Sequence, residues 1–469
     1  MDRKKGSSTV LIGLQYGDEG KARVMDTLLN DFDIVARFNG GANAGHTLQV
    51  GNVKIALHQV PSGIFHKRML LYIGSGCVIN PKKLLDEIRD IRSKGISIEA
   101  RLFISGYATL IQPHHLVFDQ IYGKGIGSTK NGIGPAYADQ AMRAKHDEIK
   151  NIRFGDYVQD SKKYLGMIQD SLQRMVDKHG LKDIDVDHEV KEFDKSVMGI
   201  RKYCCRDPLL MVRLVSRGKK VFYEGAQSVM LDLVTGAVPY VTSSRTIAAA
   251  AYTGGDLPNT YHHKTIGVAK AIMSRVGNGP FVSEFGGEKS EKYCAEKEGL
   301  AHTREKEEAA NKPEELLSSK DLFKTGIAFR MLTGEYGATT KRPRRIGMLD
   351  LVMLRQNCTM NAVDELYINK FDCLSLFSRT SLPGIPLVIG YRIGLKKIDY
   401  MPSSVAEARL VKPVIKYFPF IRQDLSRMRN YAELPAEAKK LITFIEKYVG
   451  TKVAGIGVGP EREQFIRIA

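Results

Sequence analysis

A repeated pairing constrains this chain more than any other feature: a short apolar run, then at once a glycine-rich or polar loop. The runs are Thr9–Leu14, Asp33–Phe38, Met69–Gly74, Arg101–Gly106, Lys220–Tyr223, Thr265–Ala269, Glu365–Asn369 and Pro386–Tyr391. Helical patterns lie between several of them. Asn80-Pro81 offers an N-cap and an N1 proline, and Leu84, Leu85, Ile88 and Ile91 then share a face until Gly95. Pro435 to Val449 repeats the scheme, with Ala438, Leu441, Ile442, Ile445 and Val449 on one face before Gly450. Strands alternating with helices predict an α/β fold with a largely parallel central sheet and flanking helices. Ligands of such folds bind beyond the carboxyl ends of strands, so the loops that follow strands hold the candidate chemistry.

Composition narrows the class. The chain has 469 residues, 43% of them hydrophobic, which is enough to fill a sizeable core and excludes global disorder. No apolar stretch approaches the roughly 18 residues of a membrane span, so a soluble protein is expected. The N-terminus lacks the apolar region of a removable targeting segment. Six cysteines form no CxxC pair, which points to reduced thiols and a cytoplasmic location. The net charge of +18 needs a cause: nucleic acid, a membrane patch or phosphorylated small molecules. Residues 150–217 read as mostly helical. Residues 288–321 carry ten acidic and seven basic positions, and read as a solvated helical insertion or loop without chemistry of its own.

The first strand runs into Gln15-Tyr-Gly-Asp-Glu-Gly-Lys21, a strand-to-helix turn that suits phosphate. It is not the Walker pattern, because Lys21 is followed by Ala22 and no hydroxyl. Asp18 and Glu19 would repel phosphate unless a metal or a base function required one, and a tight turn capped by acids is the bland alternative. Asn39-Gly-Gly-Ala-Asn-Ala-Gly-His-Thr47 leaves almost no side-chain bulk, so a ligand can approach its backbone. Only Asn43, His46 and Thr47 project useful groups there, and His46 reads as catalytic. The pairs His114–His115 and His262–His263 lack ligand spacing and read as polar residues only.

Glu365-Leu-Tyr-Ile-Asn-Lys-Phe-Asp372 is a strand ending in N-K-x-D. A carboxylate there can accept from the two adjacent donors of guanine, which adenine lacks, and the stem of Lys370 can cover the base. A polar loop after an edge strand is the alternative. Gly337-Ala-Thr-Thr-Lys-Arg-Pro-Arg-Arg345 gathers hydroxyls and guanidinium forks suited to several anions. A nuclear-localisation or nucleic-acid patch is its rival, although the preceding Gly-Ala-Thr-Thr favours a small-molecule loop. Ser128 and Thr129, Gln227 in Glu224-Gly-Ala-Gln, and Thr242 in Val241-Thr-Ser-Ser244 are further anion candidates.

In number and order these segments resemble the adenylosuccinate synthetase family from Val10 to Arg462, including Gly457-Val-Gly-Pro-Glu-Arg462 near the end. The resemblance implies a ligase that joins IMP to aspartate, with GTP going to GDP and phosphate through a 6-phosphoryl-IMP intermediate. It also implies Mg2+ as cofactor and a homodimer, with no nucleic-acid or membrane partner. It implies one catalytic unit over 1–469 with a P-loop-like nucleotide-binding α/β core at 1–105 and 218–275. A mostly helical lobe at 106–217 and a C-terminal subdomain at 276–469 would complete it.

By the same resemblance Asp18, His46, Lys21 and Gln227 are catalytic, and Asp18 and the Gly45 carbonyl would hold the metal. IMP would meet Asn43, Ala44, Thr129, Gln227, Thr242 and Arg342, with Arg143 contributed by a second subunit. Aspartate would meet Ala338, Thr339, Thr340, Arg342 and Arg344. GTP would meet Gly17, Glu19, Gly20, Lys21, Gly45, Thr47, Arg344, Lys370, Asp372, Gly457 and Gly459. The chain departs from the family pattern at Ala22, Arg23, Lys341 and Gly457-Val458, and the charged run makes its region roughly thirty residues longer than usual. A sibling ligase using dGMP and a GTP-hydrolysing regulator are the alternative functions. Retention of an acid at Asp18 favours IMP.

Overall fold

The computed structural model describes residues 6–50, 53–123, 129–145, 148–295, 298–337 and 341–468. The chain adopts an α/β fold with a large, mostly parallel sheet and many helices. Its contacts divide it into two compact units. The first comprises residues 1–11, 25–226 and 242–264; the second comprises 12–24, 227–241 and 265–469.

In the first unit, parallel strands follow one another in the order Cys204–Cys205, Leu102–Ser105, Leu70–Ile73, Ile34–Arg37 and Val221–Ser228. Register pairs Ala36 with both Tyr72 and Tyr223. The core strands read as unbroken apolar runs because a parallel sheet is covered on both faces; Ile34–Arg37 is buried throughout. Helix Pro81–Ser93 starts where the sequence places it, with the Asn80 side chain accepting from the Lys83 N–H at 3.0 Å. The stretch expected to be helical contains Phe154–Gln159, Ser161–His179, Val186–Ile200 and Leu210–Ser216.

In the second unit, His262–Lys270, Glu365–Asn369 and Lys452–Gly457 run parallel, and Phe465–Arg467 closes the edge antiparallel. Helix Ala436–Val449 buries Ala438, Leu441, Ile442, Ile445 and Val449 and stops at Gly450, whose φ of 76° is the left-handed value of a glycine cap. A smaller sheet pairs Ile385–Ile393 with Leu349–Asp350, Lys396–Ile398 and Lys412–Phe418.

The charged run is indeed helical in short pieces, Gly287–Tyr293, Arg304–Ala310 and Pro313–Leu317. It is not merely solvated. Within Arg304–Ala310 the side chain of Glu307 is buried while the other six residues are exposed. A buried carboxylate requires partners, and Arg330 and Tyr336 supply them.

Among the described residues no helix is long and apolar enough to cross a membrane. All six cysteines are free thiols.

Candidate active site

The second unit contains the phosphate loop. Leu14 donates its N–H to Val268 at 2.9 Å, and the chain then turns through Gly17 (φ 96°) and Gly20 (φ 81°) into helix Lys21–Leu28. The Glu19 side chain is fully buried. Its buried carboxylate accepts from the Gln15 N–H at 3.1 Å, the Gly17 N–H at 2.8 Å, the Ser228 hydroxyl at 2.5 Å and Lys21 Nζ at 2.9 Å. Burial alone would raise this carboxyl, but Lys21 and the Ser228 hydroxyl outweigh it and hold it below the ordinary value. The acid that should have repelled phosphate instead ties the loop together, so only its backbone is left to meet a nucleotide. Gly13 makes the room: a Cβ there would lie 2.3 Å from the Glu19 carboxylate oxygen.

Asp18 is the opposite case. It stands at the loop tip with a left-handed φ of 58° and a side chain 43% exposed. Arg344 Nη2 holds one of its oxygens at 2.9 Å. Arg344 also donates to Glu335 at 2.7 Å, and Glu335 in turn holds Lys370 at 2.7 Å and Lys270 at 3.1 Å. Burial opposes ionisation of Glu335, yet three cations outweigh it and keep its carboxyl far below the ordinary value. Three of the residues singled out in the sequence, Asp18, Arg344 and Lys370, are therefore drawn together by a fourth that was not. The signal available was an acid immediately before a basic loop.

Asn369, the first residue of N-K-x-D, has a structural role. Its amide donates to the carbonyls of Glu19 at 2.7 Å and Gly20 at 3.2 Å, so it fastens the phosphate loop to the guanine motif. Lys370 follows with a left-handed φ of 54°. Asp372 is half-buried, and that burial raises its carboxyl above the ordinary value. The departures at Arg23 and Gly457 are physically linked. Arg23 donates to the carbonyls of Gly459, Glu461 (2.8 Å) and Gln464 (2.7 Å), closing the turn after the last parallel strand. A Cβ at Gly457 would sit 3.1 Å from the Arg23 guanidinium and 2.5 Å from Asn369 Oδ1. Arg at 23 and Gly at 457 belong together. Arg342 is buried, and its carbonyl accepts from Gly337 at 2.9 Å.

The first unit contains the glycine-rich segment. Asn39 braces it with a two-way amide pair to Ala226, at 3.1 and 2.9 Å. The Tyr137 hydroxyl accepts from the Gly40 N–H at 2.9 Å and donates to the Gly76 carbonyl at 2.7 Å. Asn43 accepts from the Gly41 N–H at 3.2 Å, and His58 Nδ1 lies 2.6 Å from the Ala44 carbonyl. Among the described residues beyond its chain neighbours, no atom lies within 4 Å of where a Cβ on Gly45 would stand. Asn131 donates to the Thr129 hydroxyl at 3.1 Å and to the Ala42 carbonyl at 3.5 Å, which brings Thr129 to the segment. Thr242 is half-buried. Arg143 ends helix Ile133–Met142, exposed and at a left-handed φ of 66°. His46 begins strand His46–Val50, with its backbone opposite Leu57. The side chains of His46 and Thr47, and residues Ser128, Ala338, Thr339 and Thr340, lie outside the described residues.

Nine non-glycine residues among those described have left-handed φ, and four of them are Asp18, Arg143, Gln227 (62°) and Lys370. Such strain costs of order 1–3 kcal/mol per residue and gathers at functional sites. The sequence carries no sign of it.

The fold gives one histidine pair a partner. His114 and His115 meet Asp139 at 3.4 and 3.0 Å, so the fold supplies the neighbour that their spacing lacks. The trio is not a ready metal set, however. His115 Nδ1 accepts from the Gln112 N–H at 3.0 Å, which places its proton on Nε2, facing Asp139. Burial and the neighbouring His114 push His115 down to about 4, so it stays neutral and caps the helix Pro113–Tyr122.

Comparison with known proteins decides the family. The chain matches the adenylosuccinate synthetase family over residues 10–466. It belongs to that family. Among relatives, adenylosuccinate synthetase 2 of Cupriavidus pinatubonensis is 42% identical over 462 residues, covering 98% of this chain and 97% of that one. The adenylosuccinate synthetase of Acetivibrio thermocellus is 35% identical, covering 98% and 99%. The structure of the fully ligated Plasmodium falciparum enzyme superposes with a TM-score of 0.83 at 31% identity, covering 99% of this chain and all of that one. A cyanophage S-2L succinoaminodeoxyadenylate synthetase bound to dGMP and dATP shares the fold, with a TM-score of 0.58 at 17% identity. The chain is thus a ligase of adenylosuccinate synthesis.

Proposed function

We propose that this ligase acts on IMP, aspartate and GTP through the residues described above. The observation that carries the reading is Asp18, an exposed carboxylate on a strained loop tip, ion-paired to Arg344 beside the phosphate loop. Asp18 takes the N1 proton of IMP, and the electron pair moves to O6, which attacks the γ-phosphorus of GTP. GDP leaves, and O6 carries the phosphoryl group. The aspartate amine then adds at C6, loses a proton and expels phosphate, giving adenylosuccinate. His46 donates to the phosphoryl oxygens as charge develops on them. Lys21, already fixed by Glu19, places its ammonium at the head of the helix that follows the loop.

Asp372 accepts from N1–H and N2–H of the guanine, with the stem of Lys370 along its face. Asn43, Thr129, Gln227, Thr242 and Arg342 orient IMP, and the loop 338–344 receives aspartate. The donor set at Asp18 fits Mg2+. One of its oxygens is held by Arg344 and the other has no partner among the described residues, and hard carboxylate and carbonyl oxygens suit this ion. Asp18 and the Gly45 carbonyl would hold the metal, which would neutralise phosphate charge. We further propose a cytoplasmic homodimer in which the exposed Arg143 reaches the IMP of the partner subunit.

The test is turnover by the purified protein with aspartate, GTP and Mg2+, given IMP or dGMP. The proposal expects phosphate release and the ultraviolet shift of an N6-substituted purine with IMP. Turnover with dGMP alone would move the chain to the sibling activity.

A further inference from the structure

The charged insertion reaches the threonine–arginine segment through a buried acid, Glu307. Tyr336 and Gly337 pair with the stretch Arg342–Arg344. Gly337 donates to the Arg342 carbonyl at 2.9 Å, Arg344 donates to the Glu335 carbonyl at 3.0 Å, and Tyr336 bridges Pro343. Glu307, on the helix Arg304–Ala310, reaches both arms of that pairing. On the incoming arm it accepts directly from the Tyr336 hydroxyl at 2.6 Å. On the outgoing arm it acts through Arg330, whose Nε and Nη2 donate to it at 2.9 and 2.5 Å. Arg330 Nη1 then donates to the Arg344 carbonyl at 3.0 Å. The same Arg344 holds Asp18 and Glu335 with its guanidinium.

We infer that Glu307 is a positioning residue that fixes this pairing in register so that the loop can receive aspartate. The inference rests on the reading of 338–344 as the aspartate loop. Its physical basis is the placement of one acid among many. Glu305, Lys306 and Glu308 beside it are exposed, as residues that only confer solubility would be, whereas the Glu307 side chain is 1% exposed. A buried carboxylate persists only when its lone pairs are matched, and here the Arg330 fork and a phenol match them. Without that charge, Arg330 is a buried cation with no carboxylate, and it pulls on the carbonyl of Arg344.

Steady-state kinetics of Glu307→Gln and Tyr336→Phe test this, with unfolding followed in parallel. A displacement of the loop costs roughly ten- to a hundredfold in the step it serves. The KM for aspartate should therefore rise at least about tenfold in Glu307→Gln, with those for IMP and GTP within about twofold. Tyr336→Phe keeps the ion pair and should show a smaller rise in the same constant. A lowered melting temperature with unchanged kinetics, or an equal rise in all three constants, overturns the inference, since either marks a purely structural strut. A rise confined to GTP or IMP also overturns it. The paired variant Thr339→Ala with Thr340→Ala separates the two readings. If it leaves aspartate KM unchanged, the loop assignment fails; if it raises KM while Glu307→Gln does not, only the role of Glu307 fails.

Discussion

Two loops of the second unit are organised by the same device, a buried carboxylate that gathers donors, but over very different spans of sequence. Glu19 collects Gln15, Gly17 and Lys21, all within four residues, and one distant hydroxyl from Ser228. Glu307 collects Arg330 and Tyr336, which lie 23 and 29 residues away. The first loop is organised by itself and the second by an added segment. A loop built locally needs its acid in order to exist, whereas a loop braced from outside needs its acid only to hold its place.

That contrast predicts graded damage. The largest effect is expected from Glu19→Gln, which leaves Lys21 buried without its counter-charge. Breaking a buried pair in this way costs about 3–5 kcal/mol, so chemical denaturation should show a loss of that size together with loss of GTP turnover. A variant with wild-type stability would show that the loop does not depend on its internal acid. Glu307→Gln should come next, with its damage confined to aspartate.

The smallest effect belongs to the Arg23 and Gly457 pair. Gly457→Ser alone crowds Asn369 and Arg23, and Arg23→Lys alone loses the three-carbonyl clamp. Because the two sites touch, their double variant should be milder than the sum of the singles by about 0.5–3 kcal/mol in stability. Strict additivity would show that the two departures from the family pattern arose independently.

The same division by distance explains what could be read from the sequence. Strand positions, the Asn80 cap and the Gly450 stop depend on neighbours within one element, and the structure places them within a few residues of expectation. Gln15–Lys21 and Asn369–Asp372 were legible because a phosphate loop and a guanine motif are local patterns. Glu335 was not, because its three cations come from three separate stretches of chain. His115 was dismissed for the same reason: Asp139 and the Gln112 N–H give it a function that spacing could not. The insertion misled through composition. Most of its described charges are exposed, and the buried exception, Glu307, is the one that matters.

Part of the basic surplus is held by one acid. Arg344, Lys370 and Lys270 converge on Glu335, and Lys270 is itself buried there.

The central claim is that Asp18 is the base that turns IMP into a nucleophile. Asp18→Asn keeps the size of the side chain and an acceptor for Arg344 but cannot take a proton. Phosphate release from GTP in the presence of IMP and aspartate should fall by roughly 10²- to 10⁴-fold, the usual worth of general-base catalysis, while the melting temperature stays near that of the wild type. Release of phosphate at the wild-type rate by Asp18→Asn would contradict the account.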